Sequence, residues 1–303
     1  GVTISKNHTK EHRTIQVAAL TANPAEYSVA VVANSSLVPL LNDGLVRSLD
    51  DLVAKHGGSL QKHQLVTIDG KIMAIAFMAN AQHFYYRSDI LEKAGVAVPS
   101  TYEDVLAAAK AIKSAGLMEH PFAFNSAPGW NLGEEFINMY MGTGADFFKP
   151  GTAEVSINNE HGIATLNMMK ALTEHSNPDF LTFNSDATAA LWEAGDLALA
   201  TMWGSRAGPI LDGEGSTEAI TSSTVVASAP SFAGGSRPSS TLWWDGFAIA
   251  SNVSDMDAEA SFIAMMNGIS SEMVKANNDL TVWLIDGYKA GPTAVGVSET
   301  AAN

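Results

Sequence analysis

Cysteine is absent from the 303-residue chain, which excludes disulfides, thiolate metal sites and cysteine nucleophiles together. Charge is sparse, at 16% of residues, and its basic part is the smaller: 17 Lys and Arg stand against 32 Asp and Glu, a formal net charge of −15. A surface this acidic repels nucleic acid and anionic lipid, so neither is expected as a partner. Solubility is the plain reading of that charge, and an acidic patch for a cationic ligand the lesser one. No uninterrupted apolar run reaches the length of a membrane span. The glycine-rich phosphate loop, Gly-x-Ser-x-Gly and His-Glu-x-x-His are missing, as are internal repeats and low-complexity tracts. No leader precedes Gly1-Val2-Thr3-Ile4, which reads as a strand, so a mature or trimmed form is expected.

What is present is apolar material in alternating periods. Hydrophobic residues make up 46% of the chain, enough to bury a sizeable core. Strand-like and helix-like segments alternate, the pattern of an α/β protein. The run Val29–Ala33 is of the kind found in parallel strands buried on both faces. It breaks at Asn34-Ser35-Ser36 and resumes as a helical pattern through Leu37, Leu40 and Leu41 to Gly44. Asp69-Gly70 between two short apolar runs predicts a hairpin. Thr101 with Asp104 resembles a capping box, followed by Val105, Ala108, Ala109 and Ile112 on one face and Gly116 to end the helix. Ser254 with Asp257 opens a second helix, with Ala258, Phe262, Met265 and Ile269 on one face. Residues 197–203 and 224–229 read as strands, and 234–240 as a loop.

Catalytic constellations are thin. His8 and His12 have the i, i+4 spacing that holds a metal on a helix, but no third ligand is evident nearby, and a solvated surface is the simpler reading. Glu134-Glu135 invites comparison with half of a glycosidase pair, against which stands the exposed acidic face of a helix. The tryptophans are more informative. Trp130, Trp203, Trp243 and Trp244 each sit at or beside a strand end or loop, with Gly, Asn, Ser or Asp close by. Ligands of open α/β sheets bind beyond the carboxyl ends of strands. A sugar offers an apolar C–H face to an aromatic ring and hydroxyls to Asn, Asp, Arg and Glu; core packing is the competing reading for any one ring.

These residues lie within a wider resemblance. The segment KIMAIAFMANAQHFYYRSDILEKAG, from Lys71 to Gly95, resembles the crossing strand and following helix of extracellular solute-binding proteins of the maltose-binding type. Tyr86-Arg87-Ser88-Asp89 stands where that family has a Tyr-Asn-Lys-Asp-like motif. Pro99-Ser100-Thr101-Tyr102-Glu103-Asp104 is similar to its Pro-x-Thr-Trp-x-Glu helix start. Trp192-Glu193-Ala194-Gly195-Asp196-Leu197-Ala198-Leu199 is similar to its Phe-x-x-Gly-x-x-Ala-Met pattern. Gly246-Phe247-Ala248-Ile249-Ala250 resembles its return strand, and residues 258–266 with Ser271-Glu272 its late helix. The likeness runs from about Val29 to Glu272.

The resemblance implies an α/β, two-lobed periplasmic-binding-protein-like fold of type II, with the ligand cleft between lobes. Residues 1–80 and 247–303 are expected in the first lobe and 81–246 in the second. Crossings are expected near residues 79–81 and 245–247, where Gly246 lends backbone freedom or permits close strand packing. The ligand-binding positions implied are Asn34, Ser35 and Ser36, Asn80, Trp130, Trp203, Arg206, where an aromatic is more usual, and Trp243, Trp244 and Asp245. The family ordinarily has a strand and helix ahead of a strand at residues 2–5, and further helices after the stretch holding Tyr288 and Pro292. This chain lacks both, as a trimmed or shortened member would. The function implied is reversible capture of a small carbohydrate and its delivery to the membrane permease of an ABC importer. The protein is expected to be exported, periplasmic or extracellular, monomeric and non-enzymatic, with no cofactor or metal. The alternatives are a polyamine, metal or polyol phosphate as ligand, or a glycoside-processing enzyme.

Overall fold

The structure is a computed structural model and describes residues 2–9 and 12–276. The described residues fall into two compact units. One holds the chain up to Ala79 and again from Trp243; the other runs from Asn80 to Leu242.

The first unit opens with helix α1 (His12–Thr21), strand β1 (Val29–Ala33), α2 (Asn34–Asn42), α3 (Asp50–His56) and β2 (Leu65–Ile68). Strand β3 (Lys71–Arg87) then runs from this unit into the second. The second unit continues with α4 (Ser88–Ala94), α5 (Tyr102–Ser114), β4 (Phe122–Ala123), α6 (Trp130–Gly142), α7 (Glu160–Thr173), α8 (Ser185–Glu193) and β5 (Leu199–Trp203). It closes with α9 (Ala207–Leu211), α10 (Glu218–Ser223) and β6 (Thr224–Ser228). The chain returns as β7 (Leu242–Ile249), α11 (Asp255–Gly268) and α12 (Ser271–Ala276). The stretch around Tyr288 and Pro292 lies outside the described residues.

In the first unit β7 lies between β1 and β3, and β2 flanks β3. Alternation along β7 sends Ala248 and Ala250 into a core with Leu20, Val32, Leu37 and Leu40. Phe247 and Ile249 go into another with Leu52, Ala258 and Phe262. Helices α1 and α2 therefore supply one apolar layer and α3 and α11 the other, a three-layer arrangement. In the second unit β3 is bordered by β5 and β6, both antiparallel to it, and β4 joins β5 in parallel. Phe84 points into the main core with Val105, Ile112, Phe122, Met139 and Leu199. Tyr85, on the opposite face, meets the ring of Trp192 edge-on at 5.9 Å.

Local signals hold. Asp69 and Gly70 both have positive φ, 50° and 77°, the backbone that a two-residue hairpin of the primed type requires. The Thr101 hydroxyl accepts from Asp104 N at 3.1 Å and Asp104 Oδ2 from Thr101 N at 3.1 Å. Ser254 likewise caps α11 by accepting from Asp257 N at 3.1 Å.

Three expectations are corrected. Strand β1 is not a parallel strand buried on both faces: among the described residues it pairs with β7 alone, antiparallel, and Val31 is 50% exposed. An apolar run encodes burial but not the direction of its neighbour. Gln16 of α1 covers one free backbone group by donating to the Val31 carbonyl at 2.6 Å. The strand expected at residues 2–5 does not form, and Val2 and Ile4 are 61% and 64% exposed; apolar alternation makes a strand only beside a sheet edge that can pair with it. Asn34-Ser35-Ser36 is not a loop but the first turn of α2, because Ser36 Oγ reaches back to accept from Ala33 N at 2.8 Å.

Gly246 has no positive φ. A Cβ there would lie 2.5 Å from the Ile75 carbonyl oxygen and 3.1 Å from Ala76 Cα, so close backbone approach is what requires glycine. Gly246→Ala should therefore destabilise the fold by about 1–3 kcal/mol, seen as a lower midpoint in urea unfolding; an unchanged midpoint would show that β3 can yield there.

Candidate functional site

The second unit gathers an aromatic pair and a buried polar cluster on one face of its sheet. Register places Gln82 of β3 opposite Trp203, the last residue of β5. Trp130, the first residue of α6, stacks on Trp203 with ring centroids 6.0 Å apart and planes 15° from parallel. Trp203 is only 6% exposed and Trp130 45%. The outer, partly exposed indole thus covers the inner, buried one. Trp130, expected at or beside a strand end or loop, begins a helix after Gly129, whose φ of 95° turns the chain into it.

Beneath this pair lies Glu135, which overturns the expectation of an exposed acidic helix face. It is 2% exposed. Its Oε1 accepts from Gln82 Nε2 at 2.9 Å and from Asn125 N at 3.1 Å, and its Oε2 from Thr201 Oγ1 at 3.4 Å. The surrounding donors favour the carboxylate, but burial outweighs them and pushes the acid up to about 8. Glu134, one residue back, points elsewhere and accepts from the Thr241 hydroxyl at 2.5 Å. The two carboxyls of the supposed glycosidase half are thus committed to different partners. The Gln82 Oε1 and both polar side-chain atoms of Asn125 are buried without hydrogen-bond partners among the described residues.

Asn80 is buried and bonded: its Nδ2 donates to Ser205 Oγ at 3.1 Å, and its Oδ1 accepts from Ala81 N at 3.0 Å. Arg206 Nη1 pairs with Asp186 Oδ1 at 2.8 Å, so part of its guanidinium is already engaged.

The first unit carries the other candidates. Ala33 lies opposite Asp245 in the β1–β7 ladder, which brings the start of α2, with Asn34 and Ser35 exposed on it, to the start of β7. Trp243 Nε1 donates to Asp245 Oδ2 at 3.2 Å, and the guanidinium of Arg13 lies 5.6 Å from the centre of the Trp243 ring. Burial raises the Asp245 carboxyl above its usual range, although the Trp243 bond and the charges of His12 and Arg13 oppose the shift. Trp244 points the other way and packs on the apolar core of β1, α1 and α2. Ser36 is spent on its cap. The structure thus groups Trp130 with Trp203 and Asp245 with Trp243; Asn34 and Ser35 follow the residue paired with Asp245 in the ladder, and Trp244 and Ser36 serve packing and capping.

Arg13, Gln82, Asn125 and Ser205 were not legible as site residues, and Glu135 was legible only as half of a glycosidase pair. Among these, only Ser205 carries a signal in the sequence, its place two residues beyond Trp203 at the strand end.

Comparison with known proteins agrees with this architecture. The family described as bacterial extracellular solute-binding protein matches residues 12–271, and the chain belongs to that family. The family is one of solute binding and normally non-enzymatic. A probable ABC transporter-binding protein of Deinococcus radiodurans is 24% identical over 184 residues, covering 58% of this chain and 42% of the relative. The match spans less than half of that relative's length. Among solved structures, the maltose-bound MalE3 of T. maritima superposes with a TM-score of 0.80 at 21% identity, over 96% of this chain and 75% of that one. A solute-binding protein of Agrobacterium radiobacter K84 in complex with ribitol gives 0.82 at 18% identity, over 96% and 76%. The fold is the two-lobed α/β fold of periplasmic solute-binding proteins.

The carboxyl of Glu135 makes stability depend on pH. Between about 4.5 and about 8 the folded protein keeps a proton that the unfolded chain has released. Stability should therefore be greatest below that window and fall as pH rises through it, by up to about 1.4 kcal/mol per unit. Urea unfolding across the window should show this slope in the native protein and a flatter one in Glu135→Gln; equal slopes would mean that the carboxyl ionises freely in the fold.

Proposed function

We propose that this protein is the solute-capturing component of a bacterial ABC importer and that its ligand is a small carbohydrate. It works outside the cytoplasmic membrane and passes its cargo unchanged to a permease. The observation that carries the reading is the stacked pair: a partly exposed indole, Trp130, backed by a buried one, Trp203, at the end of β5. A flat, rigidly supported aromatic face suits the C–H face of a sugar ring. Asn80 and Ser205 are the hydroxyl-pairing groups of the same unit, and the first unit carries polar candidates of its own in Asn34, Ser35 and Asp245. Trp243 presents a further ring beside Asp245. Support comes from the family and from similar folds crystallised with maltose, ribitol and laminaribiose.

A linear polyol is the second reading, favoured by the ribitol and D-mannitol complexes among the similar folds. A polyol phosphate is less well served, because the Arg206 guanidinium is paired with Asp186. The described residues hold no group of three or more His, Asp or Glu that could hold a metal ion.

The test is a thermal-shift screen with maltose, laminaribiose, ribitol, mannitol and glycerophosphocholine. A bound ligand at 100 times its Kd stabilises the fold by about 2.7 kcal/mol. The sugar that stabilises the protein should be recovered intact after prolonged incubation; its hydrolysis would overturn the non-enzymatic reading. Trp130→Ala should weaken binding of that sugar by about 1–3 kcal/mol in calorimetry, and undiminished affinity would remove the ring from the site.

A further inference from the structure

The stacked indoles come from different elements, a helix start and a strand end, so something must hold α6 in register with β5. We infer that Glu135 is the positioning residue of the aromatic platform, its buried carboxyl clasping α6 to β3, β5 and the segment after β4 so that Trp130 stays flat on Trp203. The inference rests on the reading of Trp130 as the ligand-facing ring.

The geometry supports the clasp at three points. Gln82, which bonds Oε1, is the cross-strand partner of Trp203. Thr201, which bonds Oε2, precedes Trp203 by two residues and so shares its face of β5. Asn125, whose backbone N–H bonds Oε1, lies just beyond β4. A carboxyl that accepts from all three ties the helix to both strands that frame the inner indole. Glu135 follows Trp130 by five residues on the same helix, so sliding or tilting α6 would break the clasp and unstack the rings together.

The groups facing the carboxyl decide what ionisation would do. Strands β3 and β5 and the segment after β4 present neutral groups: Gln82, Thr201 and Asn125. From α5 comes the phenol of Tyr102, whose own ionisation burial and the nearby Glu135 both oppose. Glu134 on the same helix repels a second negative charge. A charged Glu135 would sit in a poorly solvated place beside a like charge while its three donors bond the carboxylate more strongly, so ionisation near about 8 changes the forces in the clasp and is felt at both indoles.

The experiment is fluorine-19 NMR of the full chain labelled with 5-fluorotryptophan, without any sugar. The chain has six tryptophans, and Trp130→Phe and Trp203→Phe assign the two resonances of interest. In the native protein these two should shift together as pH is raised from two units below the Glu135 midpoint to two units above it, while the resonance of Trp243 does not follow that midpoint. In Glu135→Gln, which keeps the size of the side chain but cannot ionise, the shift should vanish. Resonances that stay flat in the native protein, or that titrate identically in Glu135→Gln, overturn the inference. A purely structural carboxyl would alter the stability of the variant without giving the pair this shared titration. Because the readout needs no ligand, its outcome is separate from that of the sugar screen: a chain that ignores every sugar yet shows the coupled titration refutes the carbohydrate reading alone.

Discussion

Strand β3 imposes the constraint on which the rest of the structure depends. A β-strand must find partners for its backbone groups on both sides wherever it is buried, and this one is seventeen residues long. Its first part is flanked by β2 and β7 and its second by β5 and β6. Each compact unit is thus assembled on a different stretch of the same strand. The consequences reach the candidate site directly. The register of β3 against β5 places Gln82 beside Trp203, and the unit boundary at Asn80 falls just before it. On the other stretch, the backbone of Ile75 and Ala76 comes so near Gly246 that no side chain can be accommodated there.

The two units bury polarity differently. In the first, the polar candidates remain partly open: Asn34 and Ser35 are exposed, and Asp245 is half-buried beside Trp243. In the second, the polar groups near the indoles lie inside. Glu135, Gln82, Asn125 and Thr201 are all nearly inaccessible. Burying a carboxyl is costly unless its oxygens are bonded or it takes up a proton; here three donors surround it and burial still raises its proton affinity. Such an arrangement does little for net stability that an apolar side chain of the same volume would not do. It does fix a direction and a distance between elements, which is what a stacking platform needs. The family's task of holding a solute reversibly sets the same requirement, since a rigid, preformed surface loses less entropy on binding than a mobile one.

How much of this was legible before folding differs from residue to residue. The hairpin at Asp69-Gly70 and the caps at Thr101 and Ser254 were legible, and each is visible in the structure. All three involve groups within three residues of one another, so the chemistry that forms them is written in adjacent letters. The apolar faces of α5 and α11 were legible because helical period alone sets which residues can share a face. The family likeness, spread over ordered motifs, carried the fold class. The strand ends that hold Trp203 and Trp243 were read correctly as ends, yet nothing in the spacing said that Trp130 would cover the former or that Trp244 would turn inward to the core.

What the sequence by itself determined, then, was the alternation of strands and helices, their caps and turns, and the apolar stripes that required burial, because these follow from local conformational preference and periodicity. Only the tertiary structure decided that β1 would lie antiparallel to β7, that Arg206 would face Asp186 and that Glu135 would be sealed under three donors. Direction of pairing and burial of charge are settled by groups dozens of residues away. Glu134 and Glu135 make the point: adjacent and chemically identical, they diverge because helical geometry turns one toward Thr241 and the other toward Gln82, Asn125 and Thr201.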